Sequence, residues 1–209
     1  MKAHTKETQA TMTPQKAVEY LKEGNQRFQN NLRANRNLLQ QVNETEEGQF
    51  PFATILSCID SRVSAELVFD QGLGDIFSIR IAGNFVNEDI LGSMEFASKL
   101  AGTKLIVVLG HTSCGAVKGA CDHARMGNLT ALIKKIEPAV DAIKDPQDDS
   151  LRNSSNLDFV NNVAAKNVEL TIEKIRRDSP ILTEMERNNE IRIVGGMYDV
   201  GTGSVTFTD

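Results

Sequence analysis

The sequence predicts an α/β protein, a central and mostly parallel β-sheet flanked by helices, on two observations. Three short apolar runs, Pro51–Ser57, Ile76–Ile81 and Lys104–Leu109, have the length and β-branched content of buried strands, and helical patterns alternate with them. Two of these runs deliver reactive side chains at their carboxyl ends, Cys58 and His111. That is the edge along which a parallel sheet forms its crevice.

The elements follow in chain order. Residues 1–12 are polar and lack periodicity, so they are expected to be a disordered tail, with His4 on it. Thr13-Pro14 opens a helix, because threonine caps and proline suits the first turn, and Val18, Leu21, Phe28 and Leu32 form its stripe. After the first strand, Ile76–Ile81 leads through Ala82-Gly83-Asn84 to a helix expected over 87–100. Lys104–Leu109 is the clearest strand, continuous and bounded by glycines. Leu129, Leu132, Ile133, Ile136, Val140 and Ile143 keep three-and-four spacing and predict one amphipathic helix. A polar breaker over 144–150 precedes a helix over 157–176 that turns Val160, Ala164, Val168 and Ile175 inward. Ser179-Pro180 opens a shorter helix, 190–198 reads as a strand, and a turn at 201–204 leads into Val205-Thr206-Phe207.

Composition bounds the class. With 209 residues, 40% of them hydrophobic and 24% charged, the chain suffices for one core, so 13–209 is read as a single domain. A net charge of -5 gives no reason to expect nucleic acid or an anionic membrane as partner. No apolar run approaches bilayer length and the first residues lack a signal peptide's apolar stretch, so a cytoplasmic location is expected. Three cysteines, an odd number, favour metal binding over a disulfide framework.

The metal reading rests on Cys58-Ile59-Asp60-Ser61-Arg62 and His111-Thr112-Ser113-Cys114. Two thiolates and one imidazole, Cys58, His111 and Cys114, suit a zinc ion whose fourth position stays open for water or substrate. If the backbone stays extended past Cys58, then Cys58, Asp60 and Arg62 point to one side, which puts carboxylate and guanidinium beside the ligand. Asp60 and Arg62 read alone would be a surface ion pair of little energy. Cys114 is expected to begin a helix, whose N-terminus lowers a thiol's pKa. Cys121 lies almost two turns on, roughly 10 Å along the axis, and is assigned as a buried apolar side chain. His123 would face away from Cys114 and is assigned to the surface. Gly72-Leu73-Gly74 and Gly83 do not make a phosphate-cradling motif.

At Cys58-Ile59-Asp60-Ser61-Arg62-Val63, Arg80-Ile81-Ala82-Gly83-Asn84 and Gly110-His111-Thr112-Ser113-Cys114-Gly115, the chain resembles the β-class carbonic anhydrases, in that family's order and spacing. The likeness runs from about Val18 to Val205. It implies an N-terminal helical arm embracing a second subunit, and homodimers that can pair into homotetramers. It also implies one zinc (Zn2+) per subunit on Cys58, His111 and Cys114, with Asp60 either bonded to Arg62 in an open form or serving as fourth metal ligand in a closed one. The activity implied is reversible hydration of carbon dioxide to bicarbonate and a proton by zinc-bound hydroxide, with Asp60 and Arg62 as the catalytic pair. Two thiolates make this zinc a weaker Lewis acid than a three-histidine site. Gly115-Ala116 and Ile81 depart mildly from the family pattern. The absence of tryptophan leaves incomplete the Trp, Arg and Tyr set with which some members bind inhibitory bicarbonate.

Two rivals remain at this level. A hydrolase of carbon disulfide or carbonyl sulfide could use the same ligands. A zinc-stabilised, non-catalytic interaction module could close its tetrahedron with Asp60, although Arg62 would then be superfluous.

Overall fold

A computed structural model describes residues 1–208. Its centre is a five-stranded sheet of β1 (Ala53–Ser57), β2 (Ile76–Arg80), β3 (Leu105–His111), β4 (Arg192–Tyr198) and β5 (Val205–Thr208), in the order β2-β1-β3-β4-β5. The first four are mutually parallel, and β5 alone runs antiparallel to β4. The helices are α1 (Lys6–Ala10), α2 (Pro14–Gln29), α3 (Leu38–Glu44), α4 (Ala65–Val68), α5 (Glu88–Glu95), α6 (Gly115–Cys121), α7 (Leu129–Ile133), α8 (Glu137–Ala142), α9 (Leu157–Asp178) and α10 (Pro180–Arg187). Past Glu95, α5 widens into a π-helical turn, Phe96–Leu100, so the helix expected over 87–100 is present with Asn87 as its cap.

The inner strands are apolar throughout because both faces are covered. Ile55 and Val107 face a cluster built with Val18 and Leu21 of α2, and Leu56 and Val108 face the opposite one with Val168 and Ile172 of α9. Each fully buried aliphatic side chain contributes about 1.5–3 kcal/mol relative to exposure. A third cluster, with Val117, Ile133, Ile136, Val160 and Val163, closes over Cys58 and Cys114. Helix α9 lies tightly on β3 at Gly110, where a Cβ would stand 2.6 Å from Val168 Cγ2 and 2.8 Å from Met197 Sδ. That close approach fixes the strand end carrying His111.

Four expectations are corrected. The first twelve residues are folded: Thr5 and Thr8 form a reciprocal cap on α1, and Gln9 Nε2 donates to Pro51 O at 2.7 Å and Ala101 O at 2.8 Å. His4 lies edge-on to Phe52, its ring centroid 5.1 Å away, rather than on a loose tail. These anchors are hydrogen bonds and ring contacts to distant loops, which leave no periodicity in the sequence. Leu32 lies beyond α2 and is exposed. The helix expected over Leu129–Ile143 is two, α7 and α8, because Pro138 cannot continue a helix but suits the first turn of a new one. The backbone is also not extended past Cys58: β1 ends at Ser57, and a turn closed by Val63 N–H to Asp60 O, 2.9 Å, follows.

Candidate metal centre

Strands β1 and β3 are hydrogen-bonded neighbours, with Ser57 opposite Leu109, so Cys58 and His111 leave the sheet side by side. After His111 the chain turns through Thr112 and Ser113, whose φ of 55° lies in the left-handed region, and Cys114 then caps α6. The ligand-grade atoms of Cys58, His111 and Cys114 all lie within 4.8 Å of one another, and all three residues are buried. The two sulfurs are 4.0 Å apart.

Three features of this cluster fit a bound cation. First, His111 Nδ1 donates to Thr112 O at 2.9 Å, which fixes the tautomer and leaves the Nε2 lone pair free. Second, that Nε2 is buried with no hydrogen-bond partner, the orphan a metal would satisfy. Third, the thiols share a proton: the hydrogen bond from Cys114 holds Cys58 at about 4 against burial, helped by the backbone N–H groups of Gly83 and Asp60. Cys114 is pushed up instead, by its bond to the Cys58 thiolate and by burial. The amides of Val117 and Ala116 at the start of α6 do pull Cys114 down, as expected of a helix N-terminus, but they are outweighed. A cation between the sulfurs would take the shared proton's place.

Beside this cluster, Asp60 is gripped by Arg62. Arg62 Nε donates to Oδ1 at 2.9 Å and Nη2 to Oδ2 at 2.8 Å, while the Arg62 backbone N–H donates to Oδ1 at 3.0 Å. These bonds hold the Asp60 carboxyl well below the usual carboxylate range. Its Oδ2 lies 4.0 Å from His111 Nε2. The expected alignment of Cys58, Asp60 and Arg62 thus arises from a tight turn rather than from strand alternation. Of the four residues expected to bind metal, three form the cluster and Asp60 stands beside it on Arg62.

Other expected residues fall elsewhere. Cys121 is buried and unpaired in the α6 core, and His123 is on the surface with Nδ1 3.4 Å from Glu137 Oε1. Three supporting residues were not anticipated. Arg80, the last residue of β2, donates through Nε to Cys58 O at 3.0 Å and through Nη2 to Asp60 O at 2.7 Å. Asn161 and Asn167 of α9 reach the two turns that flank the cluster, accepting from Ser113 N–H at 2.9 Å and donating to Gly83 O at 2.8 Å. A buried asparagine beside Val168 in an otherwise apolar stripe was the available signal for Asn167.

The chain is similar to known proteins over most of its length. The family description "Carbonic anhydrase" matches residues 53–205, a stretch that holds every residue of the cluster. Carbonic anhydrase 2 of Mycobacterium tuberculosis is 35% identical over 167 residues, 78% of this chain and 76% of that protein. A carbon disulfide hydrolase of Acidianus is 28% identical over 162 residues, 71% of this chain and 72% of that protein. The solved β-carbonic anhydrase of Coccomyxa, in complex with acetazolamide, superposes with a TM-score of 0.67 at 26% identity, over 78% of this chain and 74% of that one. Family match, sequence likeness and the parallel sheet agree, and the non-catalytic module is set aside: this chain belongs to the carbonic anhydrases, a family of lyases, and within them to the β class.

Proposed function

We propose that the protein catalyses the zinc-dependent, reversible hydration of carbon dioxide to bicarbonate and a proton, with Cys58, His111 and Cys114 holding one zinc ion per chain. The observation that carries this reading is the position of an ionised Asp60, fixed by Arg62, 4.0 Å from the unpartnered His111 Nε2. Zinc, when bound, supplies Lewis acidity that brings the pKa of water toward neutrality.

The chain's own residues do the rest. An ionised carboxylate only accepts hydrogen bonds, so Asp60 can take one from a water at the cluster and turn that water's lone pair away from itself, toward carbon dioxide. Arg62 keeps Asp60 deprotonated and aimed, and it competes with any tendency of the carboxylate to join the metal ligands. Asp60 turned onto the cation would occupy the place of water, so the Asp60–Arg62 contact belongs to the competent arrangement. The reaction forms one carbon–oxygen bond and releases one proton to solvent.

The likeness to the Acidianus enzyme supports a second substrate class for the same cluster, carbon disulfide or carbonyl sulfide. A cytoplasmic location and self-association as a homodimer or homotetramer belong to this proposal too, with no nucleic acid or membrane as partner. Supporting self-association, α3 turns Leu38, Leu39 and Val42 to solvent, Leu39 being 72% exposed. Among the described residues, no helix is long and apolar enough to cross a membrane.

The test is zinc stoichiometry measured with the rates of carbon dioxide hydration and of carbon disulfide hydrolysis. Stoichiometric zinc without acceleration of carbon dioxide hydration from mildly acid to alkaline pH would reject the leading reading, and turnover of carbon disulfide alone would install the second. Replacing Asp60 with Ala should leave zinc bound and lower the rate.

A further inference from the structure

Both halves of the cluster are carried by turns, and a single helix touches both. On one side Ser113, between His111 and Cys114, donates its backbone N–H to Asn161 Oδ1 at 2.9 Å. On the other, Gly83 donates its N–H to Cys58 Sγ at 3.4 Å while its carbonyl accepts from Asn167 Nδ2 at 2.8 Å. Asn161 and Asn167 are both on α9, which is continuous over 22 residues and packs on β3 and β4. Asn167 is buried, and its bond to Gly83 is buried with it.

We infer that Asn161 and Asn167 are positioning residues, through which α9 sets the separation of the two turns and with it the fit of Cys58, His111 and Cys114 to a metal ion. This inference rests on the reading of those three residues as a zinc site. Its physical basis is the rigidity of the intervening helix. A turn left to itself samples several conformations, and Ser113 occupies a left-handed one that a non-glycine residue holds only when neighbours fix it. Asn161 supplies that fixing acceptor. Asn167 works through the peptide before Asn84: by holding the Gly83 carbonyl on the helix side it helps hold the Gly83 turn, whose N–H faces the Cys58 sulfur. Outer partners of this kind typically change metal affinity by about 10–100-fold.

The two hydrogen bonds run in opposite directions, and this gives a test that bulk or helix stability cannot imitate. Asn161 accepts, so Asn161→Asp retains the bond and Asn161→Leu removes it. Asn167 donates, so Asn167→Asp removes the bond and sets a carboxylate against a carbonyl. Zinc affinity measured by competition with a chromophoric chelator should fall about tenfold or more for Asn161→Leu and Asn167→Asp, and stay within about threefold for Asn161→Asp. The cobalt(II)-substituted proteins provide a second readout, since the thiolate-to-cobalt absorption band should shift in the first two and not in the third. Ile175→Val, a core change on the same helix in the cluster that holds none of the three ligands, serves as the control: it should lower thermal stability without altering zinc affinity.

Affinities for Asn161→Leu and Asn167→Asp equal to wild type, or reduced no more than in Ile175→Val, would overturn the inference. So would equal losses in Asn161→Leu and Asn161→Asp. Asn161 is only half-buried, so if Asn167→Asp does not fold, the Asn161 pair decides alone. A wild-type protein that binds no zinc would instead refute the metal-site reading.

Discussion

Gly83→Ala is the sharpest probe of how the core supports the cluster. Gly83 has φ +79°, and a Cβ built there would stand 2.3 Å from Ile136 Cδ1, 3.2 Å from Ile136 Cγ1 and 3.4 Å from Ala116 Cβ. Two penalties follow. The left-handed backbone costs a residue with a side chain roughly 1–2 kcal/mol. Forcing a methyl against a fully buried isoleucine adds about 1–3 kcal/mol, because Ile136 has no free space to retreat into. The sum, about 2–5 kcal/mol, is large against the roughly 5–15 kcal/mol that holds a domain together, yet leaves the protein folded. The two parts can be separated, because Ile136→Val deletes the clashing Cδ1 and by itself costs about 0.5–1.5 kcal/mol. In the double variant the new methyl takes up the vacated volume, so most of the steric strain should disappear, leaving the 3.2 Å approach to the retained γ-carbon, while backbone strain remains. Denaturant titration of the metal-stripped single and double variants, analysed as a cycle, should give a favourable coupling of about 1–3 kcal/mol. A cost below about 1 kcal/mol for Gly83→Ala, or additive variants, would refute this account of the turn.

Two further outcomes are expected. Asp70 is buried between Arg27 Nε at 2.5 Å and Arg36 Nη1 at 2.6 Å, so Asp70→Asn leaves two guanidinium groups short of a counter-charge and should cost about 3 kcal/mol in denaturant titration. Burial raises this carboxyl's pKa, but Arg27, the Ala34 N–H and Arg36 together hold it below the ordinary value; its stabilisation is therefore full above about pH 4 and fades as pH falls through the depressed native value, so the gap between Asp70→Asn and wild type should narrow in acid. Leu39→Glu, at an exposed site on α3, should change the stability of an isolated chain by no more than about 0.5 kcal/mol yet lower the sedimenting mass; an unchanged mass would remove α3 from any subunit interface.

The parallel sheet and the three-residue cluster were legible because their signals are local: continuous β-branched runs, and reactive side chains placed just after them. The Asp60–Arg62 pairing was legible too, but its cause was misread, since a carboxylate two residues from an arginine meets it across a turn as readily as along a strand. The break between α7 and α8 was written at Pro138, and the apolar spacing through it concealed the stop. Other features had no local signal, apart from the polar Asn167 standing in the apolar stripe of α9. The fold of residues 1–12 depends on Gln9 reaching Pro51 and Ala101, and the roles of Arg80, Asn161 and Asn167 depend on carbonyls and amides far away in sequence. Side chains that hold distant backbone can be recognised only once the tertiary arrangement is known.

The adjacency of β1 and β3 bears on how such a centre withstands evolutionary change. Neighbouring strands are spaced about 4.8 Å apart by backbone hydrogen bonds, whatever their side chains are. The gap between the Cys58 and His111 backbones is thus inherited from peptide geometry. Insertions and replacements in the crossover between these strands can accumulate without pulling the ligands apart, provided β2 keeps its seat on the far side of β1.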